Sequence, residues 1–271
     1  MNLNSVLITG TTSGLGRALL RHYARGPTKV VSVNRRRVGA LEAEHPSVRF
    51  ECVDVRSAEG VQRLLDELAA SGQLPDVFIL NAGINRLDNG DSFDLPAYRE
   101  VMETNLFGVL NFVAPLSALP PGGVERHVVA VGSMVKYAGN PHGLGYAASK
   151  LALSASFDAW ARMYAGTGLV FKQVILGPVD TGIHTMPERF PAWMNRVKSL
   201  AAASVEDAAA AIARFASTRK RTLLYPARAL PLFGAMWMAQ RLAPRFLAGR
   251  KSSSDGSRTA GARTADRAGR R

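Results

Sequence analysis

The chain has few of the groups that build covalent staples, metal centres or membrane spans. Cys52 is the one cysteine; no internal disulfide can form, and a reducing, cytoplasmic setting is expected. The five histidines, His22, His45, His127, His142 and His184, show no metal-ligand spacing with Cys52 or with one another, so no metal is expected. No apolar run reaches the roughly 18 residues that would cross a bilayer. The opening M-N-L-N-S-V-L-I-T-G has neither the basic start nor the cleavage site of a signal peptide. A P-loop is excluded, because no Gly-Lys-Ser/Thr occurs. Acidic residues are outnumbered, 21 against 34 Lys and Arg, for a net charge of +13. Residues 251–271 carry +4 of that charge, leaving +9 for residues 1–250. No helix-turn-helix, zinc-finger or aromatic-basic signature accompanies the charge, which argues against a nucleic-acid partner.

What the chain does have is alternation. Its 271 residues, 47% hydrophobic, suit one large α/β domain. Short apolar runs alternate with helix-period segments, the pattern of βαβ units and a parallel sheet. Strands are predicted at Leu3–Ile8, Lys29–Val33, Val48–Val53, Val77–Leu80, His127–Val131, Leu169–Leu176 and Thr222–Tyr225. The first runs into T-G-T-T-S-G-L-G (Thr9–Gly16), after which Leu15, Leu19 and Tyr23 mark one helix face. Glycines let a backbone approach a ligand, and the N–H groups and dipole of a helix start favour an anion, so this turn reads as a phosphate cradle. A bare strand-to-helix connection is the competing reading.

The second strand ends in N-R-R-R (Asn34–Arg37), where a doubly wound fold meets the adenosine ribose of a dinucleotide. Arginine forks suit the 2′-phosphate of NADP, and Arg35 is nearest the strand; a solvated basic face is the alternative. Ser57, Asp94 and Ser204 are placed to cap helices, and Val61, Leu64, Leu65 and Leu68 form one apolar face. One long helix is predicted from Asp94 and Pro96 to about Val113. It carries N-L-F-G (Asn105–Gly108) in its middle, where an Asn needs a bonding role, structural or catalytic.

The fifth strand leads to G-S-M (Gly132–Met134), and Y-A-A-S-K (Tyr146–Lys150) follows on a helix. Residues four apart share a helix face, so Tyr146 and Lys150 can point into one cleft. A free phenol has a pKa of about 10, and an adjacent cation lowers it, which would let Tyr146 exchange protons near neutrality. Ser133, Tyr146 and Thr181 all fall at or beyond carboxyl ends of strands, where open α/β sheets bind ligands.

With these pieces in this order, residues 3 to 225 resemble the classical short-chain dehydrogenase/reductases. The resemblance implies a single Rossmann-like doubly wound parallel sheet over residues 1–228. It places Gly10, Thr12, Ser13, Gly14, Leu15 and Gly16 in the cofactor's glycine motif, with Arg35 at the ribose and Asp54 and Val55 at the adenine. Asn81, Ala82 and Gly83 form the fourth-strand motif, and Val179 and Thr181 flank the nicotinamide. Asn105, Ser133, Tyr146 and Lys150 match the catalytic tetrad. Leu80 stands where the family usually has Asn, and Leu176 where Pro precedes Gly177. The implied chemistry interconverts a carbonyl and a secondary alcohol with NADPH preferred over NADH. Tyr146 is acid or base, Lys150 lowers its pKa and binds ribose, Ser133 holds the substrate oxygen, and Asn105 holds a water that serves Lys150. A cofactor sensor of the same fold is the alternative function, which the intact Ser133, Tyr146 and Lys150 argue against. An extended-branch nucleotide-sugar enzyme is disfavoured by the glycine spacing.

The equivalent of residues 182–200 is a lid in this family. Met186, Phe190, Trp193 and Met194 would give it an apolar underside for a lipophilic substrate, or would cover the core. Residues 229–250 interleave Leu232, Phe233, Met236 and Trp237 with Arg241, Arg245 and Arg250. Within them, Pro231 to Arg250 is expected to lie at an anionic membrane surface as a peripheral contact, with an oligomer interface the nearly equal alternative. A homo-oligomer, dimer or tetramer, is expected, and the Ser/Gly/Ala/Arg-rich residues 251–271 read as a disordered tail.

Overall fold

Strand β1 (Ser5–Thr9) organises the molecule: its Val6, Leu7 and Ile8 have no exposed surface. A strand whose three central residues are all apolar has no face to offer water, so it must lie in a sheet covered on both sides. Val6 and Ile8 point into one core and Leu7 into the other. Each such side chain contributes about 1.5–3 kcal/mol on burial. The computed structural model describes residues 4–86, 93–120, 123–137, 143–179, 202–231, 234 and 238.

Around β1 stand β2 (Lys29–Asn34), β3 (Arg49–Cys52), β4 (Val77–Leu80), β5 (Arg126–Ser133), β6 (Leu169–Leu176) and β7 (Thr222–Tyr225). They form a parallel seven-stranded sheet in the order β3-β2-β1-β4-β5-β6-β7. The chain runs from β1 outward through β2 and β3, then crosses back to pair β4 with the other edge of β1. The carboxyl ends of β1 and β4 therefore border a topological switch point, the crevice where such sheets take their ligands.

Helices α1 (Gly14–Ala24) and α7 (Val205–Ala216) cover one face through Leu19, Leu20 and Tyr23, and through Ala208, Ile212 and Phe215. Helices α3 (Ala58–Ala70), α5 (Gly108–Ser117) and α6 (Leu144–Met163) cover the other with Leu64, Phe112 and Phe157. The short α2 (Gly39–Glu44) follows β2, and α4 (Leu95–Met102) precedes α5. Ser57, Asp94 and Ser204 do cap their helices, accepting from the N–H groups of Gly60, Ala97 and Asp207 at 3.0, 2.9 and 3.0 Å.

The predicted long helix is a helix in two parts. Between α4 and α5 the backbone widens into a π turn over Glu103–Phe107. The cause is Asn105, whose fully buried side chain is bonded to Ile84 and Ser149 rather than facing outward. The predicted strands at Val77–Leu80, Leu169–Leu176 and Thr222–Tyr225 coincide with the observed ones, while the fifth is longer and the third shorter at both ends. Thr181, His142, the lid residues 182–200, most of 231–250 and all of 251–271 lie outside the described residues. Among the described residues, no helix is long and apolar enough to cross a membrane.

Candidate active site

The glycine turn closes because two of its residues lack a side chain. Gly10 takes φ +72°, and a Cβ on Gly16 would lie 1.9 Å from the Gly10 carbonyl oxygen, so only glycine lets α1 start this close to β1. Ser13 precedes α1 in extended conformation, and its side chain does not cap the helix. The first N–H groups of α1, at Leu15 and Gly16, have no carbonyl within the helix, and the dipole is positive there. Thr12 and Ser13 are exposed beside them. This donor set fits the pyrophosphate of a dinucleotide.

A buried hydroxyl and amide network holds the turn in shape, and its members Thr11, Ser32 and Asn34 were given no role from the sequence. Asn34 Oδ1 accepts the Thr11 N–H at 2.8 Å, Asn34 Nδ2 donates to Thr11 Oγ1 at 3.0 Å, and the Thr11 and Ser32 hydroxyls lie 2.7 Å apart. On the other side Thr9 Oγ1 accepts the N–H groups of Asn81 and Ala82 at 3.0 and 2.9 Å. The Asn81 amide donates back to the carbonyls of Thr9 and Gly10 at 3.1 and 3.2 Å. Asn81 and Ala82 thus fasten the β4 end to the cradle, and Gly83 continues the same loop. The signal in the sequence was the pair Ser32 and Asn34, polar residues two apart in a strand of valines.

Arg35 is exposed just beyond the carboxyl end of β2. Asp54 is gripped by Arg56, with Nη2 2.6 Å from Oδ2 and Nε 3.0 Å from Oδ1. That guanidinium holds the Asp54 carboxyl below the usual carboxylate range, and Arg35 adds to the effect. Val55 is buried, and its carbonyl accepts from Asn111 Nδ2 at 2.8 Å.

The tetrad residues converge beyond β5. Ser133 ends β5, Tyr146 and Lys150 lie on α6, and all are at most 9% exposed. The Ser133 hydroxyl lies beside that of Tyr146, near enough to lower its pKa, and Ser133 Oγ accepts the Val135 N–H at 3.2 Å. Lys150 Nζ stands 5.6 Å from the centre of the Tyr146 ring and donates to the Val131 carbonyl at 2.8 Å. Burial pushes the Tyr146 phenol up to about 12, partly offset by Ser133, and pushes Lys150 down to about 8. The expected lowering of Tyr146 by Lys150 is therefore corrected: the ammonium lies over the ring, held by Val131, and desolvation dominates. Asn105 is the tetrad member set apart. Its Oδ1 accepts the Ile84 N–H at 2.8 Å, and its Nδ2 donates to the Ile84 carbonyl at 2.9 Å and to Ser149 Oγ at 3.1 Å. Ser149 donates to the Tyr146 carbonyl at 2.8 Å, a link to the site that sequence reading missed. Val179 is buried at the end of the β6 loop.

A buried phenol beside a hydroxyl and a cation, in a sheet whose first strand ends in an anion cradle, is a constellation for moving a proton next to a bound dinucleotide. Comparison with known proteins agrees. Residues 4–189 match the family model described as short chain dehydrogenase. The chain is 32% identical to sulfoacetaldehyde reductase 2 of Chromohalobacter salexigens over 184 residues, 65% of this chain and 73% of that protein. It is 31% identical to human retinol dehydrogenase 8 over 190 residues, 65% of this chain and 59% of that protein's length. In structure it is similar to a short-chain dehydrogenase from Burkholderia cenocepacia in complex with NADP (TM-score 0.73, 24% identity, covering 90% and 98% of the two chains). The glycine turn and the first six strands of the parallel sheet fall within the family match, and the chain belongs to the short-chain dehydrogenase family, oxidoreductases of alcohol and carbonyl groups that use a nicotinamide cofactor.

Proposed function

We propose that the protein interconverts a lipophilic carbonyl compound and its secondary alcohol, with NADPH preferred over NADH and Tyr146 as the acid/base. The observation that carries this reading is the buried Ser133–Tyr146 hydroxyl pair with the Lys150 ammonium 5.6 Å from the Tyr146 ring. The bound cofactor supplies or accepts the hydride. Ser133 orients the substrate oxygen and stabilises the negative charge that develops on it. Tyr146, held protonated with its pKa near 12, gives its phenolic proton to that oxygen during reduction and takes it back during oxidation. Lys150 is the counter-charge of the phenolate left behind and binds the ribose of the nicotinamide half. Asn105 acts through others, fixing Ile84 beside the cofactor loop and Ser149 beneath Tyr146.

The preference for NADPH rests on Arg35 and on the end of β2. Asn34 stands where a carboxylate would bond the ribose of NADH, and its amide is committed to Thr11. A phosphate gains from an arginine fork about 1.5–3 kcal/mol per charge-assisted hydrogen bond. For the substrate, the names of relatives span a polar aldehyde and a lipophilic alcohol; Met186, Phe190, Trp193 and Met194 in the sequence favour the lipophilic side. A turnover screen over aldehydes and ketones of graded chain length, with NADPH and NADH in parallel, tests the proposal. Activity should be higher with NADPH and rise with apolar length, and Arg35→Asp should weaken or reverse the cofactor preference. Tight NADPH binding with no turnover across the panel would replace the enzyme reading with that of a cofactor-binding regulator.

A further inference from the structure

Below the reacting groups, α6 carries a second polar layer that the chemistry above does not use. Tyr146, Lys150, Ser154 and Asp158 are spaced by four and form one stripe along the helix. Ser154 is 7% exposed, yet it lies among polar rather than apolar neighbours. Lys136 Nζ donates to Ser154 Oγ at 2.5 Å, Ser154 Oγ donates to Gln173 Oε1 at 2.7 Å, and Gln173 Nε2 donates to Asp158 Oδ1 at 2.5 Å. Every donor points the same way, from an ammonium to a carboxylate, so the end charges polarise each bond in the chain. Gln173 is 7% exposed and comes from β6, on the same face as Phe171 and two residues before Ile175, which packs on Met134.

The chain ties together the three elements that surround the site. Lys136 belongs to the 3-10 turn Met134–Tyr137, which begins immediately after Ser133. Val135 in that turn donates its N–H to Ser133 Oγ. Ser154 and Asp158 lie on the helix that bears Tyr146 and Lys150, one and two turns further on. We infer that Lys136, through the Lys136–Ser154–Gln173–Asp158 chain, is a positioning residue that fixes the Ser133 turn against α6 and so sets the Ser133–Tyr146 pair for proton transfer. This inference rests on the assignment of Ser133 and Tyr146 as the reacting pair. An apolar side chain at position 136 removes this tie between the turn and α6, and misplacement of a catalytic group by about 1 Å costs up to about 100-fold in rate.

The test compares the full chain with Lys136→Met, Gln173→Leu, their double variant, and Asp158→Asn, which removes only the terminal charge. Hydrogen exchange of the Met134–Tyr137 amides reads the anchoring without reference to activity, and steady-state kinetics with NADPH reads its consequence. Lys136→Met and Gln173→Leu should each speed exchange of the turn and lower kcat about 10-fold or more, with NADPH affinity unchanged. The double variant should be no worse than the worse single one, because both break one chain. Asp158→Asn should lower kcat in the same direction by less. Unchanged exchange in the turn overturns the inference whatever the activity. A fall in thermal stability with kcat within about twofold of the parent also overturns it, since that is a purely structural role. Failure of the parent chain to turn over any carbonyl would sink the proposed function instead, and the exchange measurement would still decide the anchoring.

Discussion

Tyr146 and Lys150 are both buried, and burial pushes them in opposite directions, the phenol to about 12 and the ammonium to about 8. Between these values the pair carries a neutral phenol beside an amine that has lost its charge; below about 8 the amine is charged. Rising pH therefore first removes the cation that stabilises a phenolate, and only far later the phenolic proton. The expected result is that kcat/KM for NADPH in the reductive direction is level through neutrality and falls above about pH 8. A steady-state profile from pH 6 to 10 checks this, and a level profile up to pH 10 contradicts the role given to Lys150. These two residues, with Ser133, were legible from spacing and strand ends. The Thr11–Ser32–Asn34 network was not, because it exists only once β1 and β2 are paired in register and the glycine turn folds over them. The true environment of Lys150 was hidden for a similar reason: Val131, which holds it, comes from β5.

At the scale of the element, the outer end of α7 is held by an unusual cap. Lys172, 1% exposed on β6, donates to the carbonyls of Phe215, Ala216 and Thr218 at 2.7, 3.0 and 2.7 Å, and His127 Nδ1 lies 2.7 Å from the Ala216 carbonyl. The last carbonyls of a helix have no partner within it, and a cation there also meets the negative end of the dipole. Lys172→Met keeps the stem and removes the donors, so it should destabilise the fold by about 1–3 kcal/mol at neutral pH, read from urea unfolding. Burial pushes Lys172 down to about 8 from an ordinary value of 10.5. Between those two pH values the unfolded chain binds the extra proton, so this group makes stability rise with pH there. The variant should lose that part of the rise; an equal stability and an identical pH slope would contradict the cap. Sequence showed the strands and the capped helix starts, since a cap lies within three residues of what it caps. It did not show the π turn at Glu103–Phe107, whose cause is a tertiary bond from Asn105 to Ile84.

For the whole molecule, the charge of +13 is part of the question of where the protein works. Ala229 is fully buried against Met134 and Ile175, so the apolar-basic segment begins inside the core, and Leu230 and Pro231 next to it are exposed. We propose that residues 231–250, with the basic residues that follow, give peripheral, salt-sensitive attachment to anionic membranes and deliver a lipophilic substrate. A chain ending at Leu230 preserves the buried Ala229 and makes the fair comparison. The full chain should sediment with anionic liposomes at low salt and be released at high salt, while the shortened chain should stay in solution. If neither sediments and the full chain runs as a defined dimer or tetramer, the segment is an oligomer interface. The parallel, doubly wound sheet was legible at this scale because strand and helix patterns alternate along the chain, whereas the order of the strands was not; the seat of this segment was not legible either, since its apolar residues suit a membrane and a partner subunit equally.

The central claim is that Tyr146 supplies the proton to a substrate held beside NADPH. Tyr146→Phe removes one hydroxyl and leaves the ring that Lys150 faces, so single-turnover reduction of the best carbonyl substrate, measured beside an NADPH fluorescence titration, tests that claim most directly. Turnover should fall by about 100-fold or more while NADPH affinity stays within about twofold; a variant that keeps substantial activity would show that another group carries the proton.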